Sequence, residues 1–149
     1  MNNIGKPYLI VVSGPTAVGK TATCIELAQK YRAEIVSCDS RQFYKEMQIG
    51  TAMPTAEELS KAKHHFIGNL SIYDNYNVYK YETDAIEKIA ALHTRNPLVI
   101  LTGGSGLYIN AVCNGIDELP DPDQELRASL NKEFEDLGIE ALRKRLKLL

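Results

Sequence analysis

The chain has 149 residues, 44% of them hydrophobic and 24% charged, which is ordinary for a soluble globular protein and enough for about one domain with a real core. A formal net charge of −2 carries no overall nucleic-acid signature, so any nucleic-acid contact is expected in a local patch or on material outside this sequence. No apolar run is long enough to span a membrane. Three cysteines, Cys24, Cys38 and Cys113, show no C-x-x-C spacing, which points to free thiols in a reducing cytosol. Cys38 is expected to be a buried, inert thiol.

Tyr8-Leu-Ile-Val-Val-Ser13 is a short apolar run that reads as a buried strand. It feeds straight into a glycine-bearing loop, so the N-terminus is not expected to be a signal peptide. Gly14-Pro15-Thr16-Ala17-Val18-Gly19-Lys20-Thr21 fits the phosphate-loop pattern G-x-x-x-x-G-K-[ST]. After Thr21, Ile25, Ala28 and Tyr31 recur at helical spacing with Leu27 beside them. Strand, glycine loop and helix are thus in the order the motif needs. Gly14 and Gly19 permit turn conformations that a side chain resists, so several N–H groups converge at the positive end of the following helix. Lys20 adds a full charge at the outer phosphates, and the Thr21 hydroxyl is placed to hold Mg²⁺. The expected ligand is a diphosphate or triphosphate.

Ala33 to Ser37 reads as a second strand, ending at Cys38-Asp39-Ser40-Arg41-Gln42. Ligands of α/β folds sit beyond the carboxyl ends of the strands, which puts Asp39 near the phosphate loop. It is a candidate Mg²⁺ ligand, a candidate general base, or a cap for the next turn. Lys45 to Pro54 has few regular cues. Thr55-Ala-Glu-Glu58 is a capping-box pattern opening a short helix to about Lys63. His64 and His65 come next, on an extended segment; adjacent side chains there point to opposite sides and chelate one ion poorly. Asn69 to Asn77 reads as a loop. Val78, Tyr81, Ala85, Ile89 and Leu92 mark a helix ending near His93, with Asn96-Pro97 as the stop.

Leu98-Val-Ile-Leu101 is a third buried strand, running into Thr102-Gly-Gly-Ser-Gly106. Strands separated by helices imply a parallel, doubly wound sheet. This strand ends without the carboxylate that usually holds Mg²⁺ in a phosphate-loop NTPase, which leaves Asp39 as the best acid near the site. Leu107 to Asn114 reads as a helix stopped by Gly115, and Asp117 to Asp123 as a proline-broken connector. Leu126, Leu130, Phe134 and Leu137 mark another helix, stopped by Gly138. Ile139 to Leu149 is a helical pattern with no stop signal, so the expectation is a chain that ends within an element. Its basic group, Arg143-Lys-Arg145 with Lys147, reads as a solvated face. The expected fold class is α/β: a phosphate-loop NTPase-like parallel sheet flanked by helices over residues 1–116, then the start of a helical insertion over residues 117–149.

Several motifs agree in one order: the phosphate loop, Asp39-Ser-Arg-Gln42 with Tyr44 and Met47 after it, Ile49-Gly-Thr-Ala52 with Pro54, His64-His65, and Gly103-Gly-Ser-Gly-Leu-Tyr108. Together they resemble the bacterial tRNA dimethylallyltransferase family, also called tRNA isopentenyltransferases, from Tyr8 to Leu149. Members are roughly twice this length, so the resemblance is to an N-terminal half. It implies transfer of a dimethylallyl group from its diphosphate to N6 of the adenosine just 3′ of the anticodon. By resemblance the loop from Gly14 to Thr21 holds the diphosphate, with Thr16 in contact with it. Lys20, and Mg²⁺ on Thr21, stabilise the departing pyrophosphate, and Asp39 accepts a proton from, or orients, the exocyclic amine. Asp39, Ser40, Arg41, Gln42, Ser105 and Arg127 match tRNA-contacting positions; at Ser105 relatives often carry threonine, which keeps the hydroxyl. The segment His65-Phe-Ile-Gly68 departs from the family's His-Leu-Ile-Asp, so no role is carried onto Gly68. The helical region beginning near Asp123 matches part of a tRNA-gripping insertion. The implied partners are tRNA and dimethylallyl diphosphate, the implied cofactor is Mg²⁺, and a cytoplasmic monomer is expected.

Three rivals remain open. A nucleotide or small-molecule kinase explains the phosphate loop alone, but predicts an acid ending a core strand and an arginine-rich lid. An adenylate isopentenyltransferase acting on free nucleotide shares the loop and an aspartate, whereas Asp39-Ser-Arg-Gln42 looks more like the tRNA type. The third is an inactive fragment serving only as a scaffold.

Overall fold

A computed structural model describes residues 5–117 and 123–148. Most of the proline-broken connector and the final Leu149 lie outside the described residues. Contacts divide the chain into two compact units, Met1–Asp117 and Glu118–Leu149.

In the first unit the elements follow the apolar patterning. They are β1 (Tyr8–Ser13), α1 (Lys20–Tyr31), β2 (Glu34–Ser37), α2 (Ala56–Lys61), β3 (His64–His65), α3 (Val78–His93), β4 (Leu98–Gly103) and α4 (Gly106–Asn114), with a 3-10 turn at Lys45–Met47. The four strands form one sheet in the order β1-β4-β2-β3, and every pairing is parallel. The sheet therefore has a strand more than the sequence patterning implies. His64–His65 pairs with Ile35 and Val36, and Leu98–Gly103 is the fourth strand in chain order. A two-residue strand has no apolar run to announce it. It is fixed from outside, by its neighbour and by the Ile35 N–H donating to the Lys63 carbonyl at 2.9 Å.

Alternation along the strands sends side chains to two cores. Ile35 and Ile100 pack with Cys24, Ile25 and Ala28 of α1. Val36, Val99 and Leu101 pack on the other face with Tyr81, Ala85, Ile89 and Leu92 of α3 and with Phe43. The starts of α3 and α2 are capped locally, and the end of α1 is served from a distant part of the chain. The Asn77 side chain accepts from the Lys80 N–H at 2.9 Å at the start of α3. Thr55 and Glu58 complete the capping box of α2. Asn96 donates to the carbonyls of Tyr31 and Arg32 at 3.1 and 2.7 Å, serving the end of α1, where last-turn carbonyls lack helical partners.

The ends of β4 and β2 approach closely. A Cβ at Gly103 would lie 2.7 Å from Cys38 Sγ, 2.8 Å from the Cys38 carbonyl carbon and 2.9 Å from the Asp39 nitrogen. Two of these neighbours are backbone, so they yield only if the strand ends separate. Beneath this junction the buried Tyr81 hydroxyl donates to the Ser37 carbonyl at 2.8 Å. At the outer edge, Glu34 accepts from His65 Nε2 at 2.6 Å and faces Lys63 at 3.4 Å. Burial pushes the Glu34 carboxyl up, but hydrogen bonds from His65 and Lys63 outweigh it and hold it below the usual carboxylate range.

The second unit contains α5 (Gln124–Leu137) and α6 (Ile139–Leu146). Asp123 caps α5 by accepting from the N–H groups of Glu125 and Leu126. Gly138, at φ 73°, turns the chain, and Arg145 reaches Glu133 across the pair at 2.9 Å.

Gly103→Ala should lower the urea midpoint by the equivalent of about 1–3 kcal/mol, the usual range for overpacking; an unchanged midpoint would contradict the close approach. Glu34→Gln should cost stability at pH 7, because the native state favours the charged carboxylate. That cost is fully present above the unfolded pKa of about 4.3 and fades as the pH falls through the lower folded value. A cost independent of pH in urea titrations from pH 7 to pH 3 would contradict it.

Candidate functional site

β1 ends at Ser13 and α1 begins at Lys20, so residues 14–19 form a loop at the carboxyl edge of the sheet. Gly19 sits at φ 93° and Ala17 at φ 67°. An L-residue in the left-handed region costs about 1–2 kcal/mol, and such strain collects at ligand clamps. Gly19 gives α1 no side-chain cap, so the first N–H groups of the helix lack that partner. Lys20 Nζ donates to the carbonyl of Pro15 at 2.7 Å, across its own loop, so its charge lies at the loop mouth.

Thr16, Ala17, Gly19, Lys20 and Thr21 line one side of a cleft of about 390 Å³. Asp39 and Gln42 border it beyond β2, and Thr102 and Gly103 beyond β4. Ala52, Met53, Pro54 and Ile67 bring apolar surface to the cleft, and Thr51 and the α2 residue Glu58 also line it. His64 also lines it, and its Nδ1 is engaged by the Ala62 carbonyl at 2.8 Å. A carbonyl only accepts, so Nδ1 carries the proton and Nε2 keeps its lone pair in the neutral ring. Burial holds the His64 pKa below its ordinary value, which favours that neutral form. His65 takes a different partner, Glu34.

A second, polar cleft of about 350 Å³ adjoins the first. Ser40, Arg41, Gly104 and Ser105 line it, and Thr16, Asp39 and Thr51 border both clefts. Asp39 sits at the junction. Its Oδ1 accepts from the Arg41 N–H at 3.1 Å, so it caps the local turn. Its Oδ2 faces Gly104, where an added Cβ would lie 3.9 Å from it and 3.7 Å from the Gly14 carbonyl. One oxygen therefore holds the loop while the other remains turned toward the glycine loop after β4. Ser105 Oγ accepts from the Ser40 N–H at 3.2 Å and meets the Ser40 hydroxyl at 3.2 Å, tying the two loops together.

The expected site residues thus fall into three groups. Five of the eight phosphate-loop positions line the first cleft; Gly14, Pro15 and Val18 complete the loop outside that lining. Asp39, Ser40, Arg41 and Ser105 come together at the second cleft. Gln42 belongs to the first cleft, with its amide committed to backbone carbonyls, and Arg127 stands exposed on α5 in the second unit. The Ala52-Met53-Pro54 wall and Ile67 carried no role from sequence. Ile49-Gly-Thr-Ala52 with Pro54 entered only as a motif of the resemblance, and the place of this wall in the cleft is a tertiary fact. Thr21 and Asp39 share one cleft. That donor set fits Mg²⁺, which takes one or two protein ligands and completes its shell with phosphate and water.

The thiols nearest the site, Cys24 and Cys38, are buried, which disfavours the reactive thiolate. Burial first, then the Asp39 charge, pushes Cys38 up to about 12. Burial likewise raises Cys24, while Cys113 is exposed. Iodoacetamide at pH 8 should alkylate the native chain at Cys113 alone and all three cysteines after denaturation. Native labelling of Cys38 on mass spectra would contradict this.

A family model described as IPP transferase matches residues 42–149. The chain is 58% identical over 142 residues to the tRNA dimethylallyltransferase of Flavobacterium johnsoniae, covering 95% of this chain and 46% of that protein. It superposes on the full-length tRNA isopentenylpyrophosphate transferase of Bacillus halodurans with a TM-score of 0.72 and 37% identity, covering 95% of this chain and 47% of that one. A eukaryotic dimethylallyltransferase acting on tRNA matches with a TM-score of 0.70 and 26% identity, over 81% of this chain and 31% of that one. The chain spans about half the length of the curated relatives it matches.

Proposed function

This chain belongs to the IPP transferase family, and we propose that it carries the donor site and catalytic carboxylate of a tRNA dimethylallyltransferase. The observation that carries this reading is the meeting of two clefts of different chemistry at Asp39. One pairs a phosphate loop with an apolar wall; the other is polar and holds Arg41, Ser40 and Ser105. A prenyl diphosphate needs the first arrangement, because one end carries charge and the other is hydrocarbon. An adenosine presented by RNA needs the second, with hydroxyls and a cation around the base and its backbone.

Residues 16–21 receive the diphosphate, and Lys20 exchanges the Pro15 carbonyl for phosphate oxygens, a stronger charge-assisted partner. Thr21, with Asp39 near, would hold Mg²⁺, which when bound would supply charge neutralisation for the leaving diphosphate. Met53, Pro54 and Ile67 exclude water from the dimethylallyl group. The N6 amine of adenosine approaches from the polar cleft. A C–N bond forms to the allylic carbon as its C–O bond breaks, the diphosphate leaves with the electron pair, and Asp39 accepts the proton released by N6. The free thiols Cys24, Cys38 and Cys113 support a cytoplasmic setting. The relatives named for action on tRNA support tRNA as the acceptor.

The donor half of the reading is open to calorimetry with Mg²⁺ present. Dimethylallyl diphosphate should bind the chain, ATP should bind more weakly, and Lys20→Ala should weaken the prenyl diphosphate by about tenfold or more, since a charged hydrogen bond contributes about 1.5–3 kcal/mol. Preferential ATP binding would contradict the reading in favour of a kinase. Binding of neither ligand would contradict the claim that this half carries a formed donor site.

A further inference from the structure

Gln42 is joined to four pieces of chain around the donor cleft. Its backbone N–H donates to the Asp39 carbonyl at 3.0 Å, and its own carbonyl accepts from the Gly68 N–H at 2.8 Å. Its side-chain Nε2 donates to the carbonyls of Thr51 and Ala52 at 3.1 and 3.0 Å. The Ser37 hydroxyl, on a residue only 2% exposed, donates to its Oε1 at 3.4 Å. An amide nitrogen has two hydrogens, and both are used. Facing two carbonyls, this end of the side chain can only be the NH₂, and no donor is left over for a base.

The loop it holds is otherwise sparsely fixed. Gly50 sits at φ 84° and Ala52 at φ 49°, so an alanine is kept in the left-handed region where surrounding structure must over-determine it. The Thr51 hydroxyl adds one bond, to the Met47 carbonyl at 2.7 Å. Immediately beyond Ala52 come Met53 and Pro54, the apolar wall of the cleft.

We propose that Gln42 is a positioning residue: its amide fixes the Thr51–Pro54 wall opposite the phosphate loop, and so sets the room for the apolar group attached to the diphosphate, without touching RNA. The proposal rests on the donor-site reading above. It makes Gln42 a determinant of prenyl selectivity and leaves the adjacent Ser40 and Arg41 to the polar cleft. Inorganic pyrophosphate contacts the phosphate loop and not the wall. A merely structural defect weakens both ligands together, whereas loss of wall placement separates them.

The test uses Gln42→Glu, which keeps the shape but sets a carboxylate against two carbonyls, and Gln42→Leu, which removes the donors without adding charge. Kd values for dimethylallyl diphosphate and for inorganic pyrophosphate are measured by calorimetry with Mg²⁺, and amide hydrogen exchange is followed over residues 50–53. We expect pyrophosphate affinity within about twofold of wild type and prenyl diphosphate affinity weaker by about tenfold, as when a pre-organised loop is released, with faster exchange over residues 50–53. Should the Glu variant fail to fold, the Leu variant alone decides. Unchanged exchange with unchanged prenyl affinity would overturn the proposal, as would loss of binding to an anticodon stem-loop RNA with both donor readouts intact. A wild-type chain that bound pyrophosphate and prenyl diphosphate equally would show that the wall adds nothing to binding and would overturn the selectivity role, whereas a wild-type chain that failed to bind prenyl diphosphate at all would overturn the donor-site reading. The exchange data would still decide whether Gln42 holds the loop.

Discussion

The carboxyl ends of β4 and β2 come together at Gly103 and Cys38, where a single added methyl would lie 2.7 Å from the Cys38 sulfur and 2.8 Å from its carbonyl carbon. That approach brings the loop after β2 against the loop after β4. The Cys38 N–H donates to the Thr102 carbonyl at 2.7 Å, so Asp39 emerges beside the glycine loop that continues from β4. On the far side of β4 lies β1, whose end opens directly into the phosphate loop. Three strand ends thus deliver three loops to one edge of the sheet, which is where open parallel sheets gather ligands.

Charge and apolar surface are then divided by which loop supplies them. The phosphate loop contributes backbone N–H groups, Lys20 and Thr21. The segment after the 3-10 turn folds back to contribute Met53 and Pro54, and the segment after β3 contributes Ile67. The loop after β4 contributes Gly104 and Ser105, bound to the loop after β2 through the Ser40–Ser105 contact. Asp39 faces both sides because its two oxygens do different work. One accepts from the Arg41 N–H and fixes the turn; the other is turned toward Gly104. Capping and reactivity, which compete as readings of one aspartate in a sequence, are compatible in the folded loop.

Elements carried by local pattern are legible in the amino-acid sequence. The apolar runs of β1, β2 and β4, the 3.6-residue spacing of α3, the capping box of α2 and the phosphate loop between strand and helix all have causes within a few residues of themselves. The hidden features depend on partners distant in the chain. The strand at His64–His65 exists because β2 offers an edge. Gly103 reads as one more loop glycine, and its need for close approach is visible only once Cys38 is beside it. Gln42 lies in a stretch that resembles an RNA contact. Its amide is used up by Thr51 and Ala52 because the loop folds back on it, a closure that no local spacing encodes. The apolar wall of the donor cleft shares that cause.

The central claim is that donor and acceptor occupy separate clefts that meet at Asp39, and backbone NMR shift mapping addresses it directly. Titration with dimethylallyl diphosphate and Mg²⁺ should move resonances of residues 16–21 and 51–54. Titration with an anticodon stem-loop RNA should move those of residues 40, 41, 104 and 105. The two sets should overlap at Thr16, Asp39 and Thr51, which border both clefts. If both ligands perturbed the same set and displaced one another, the two-cleft account would be wrong.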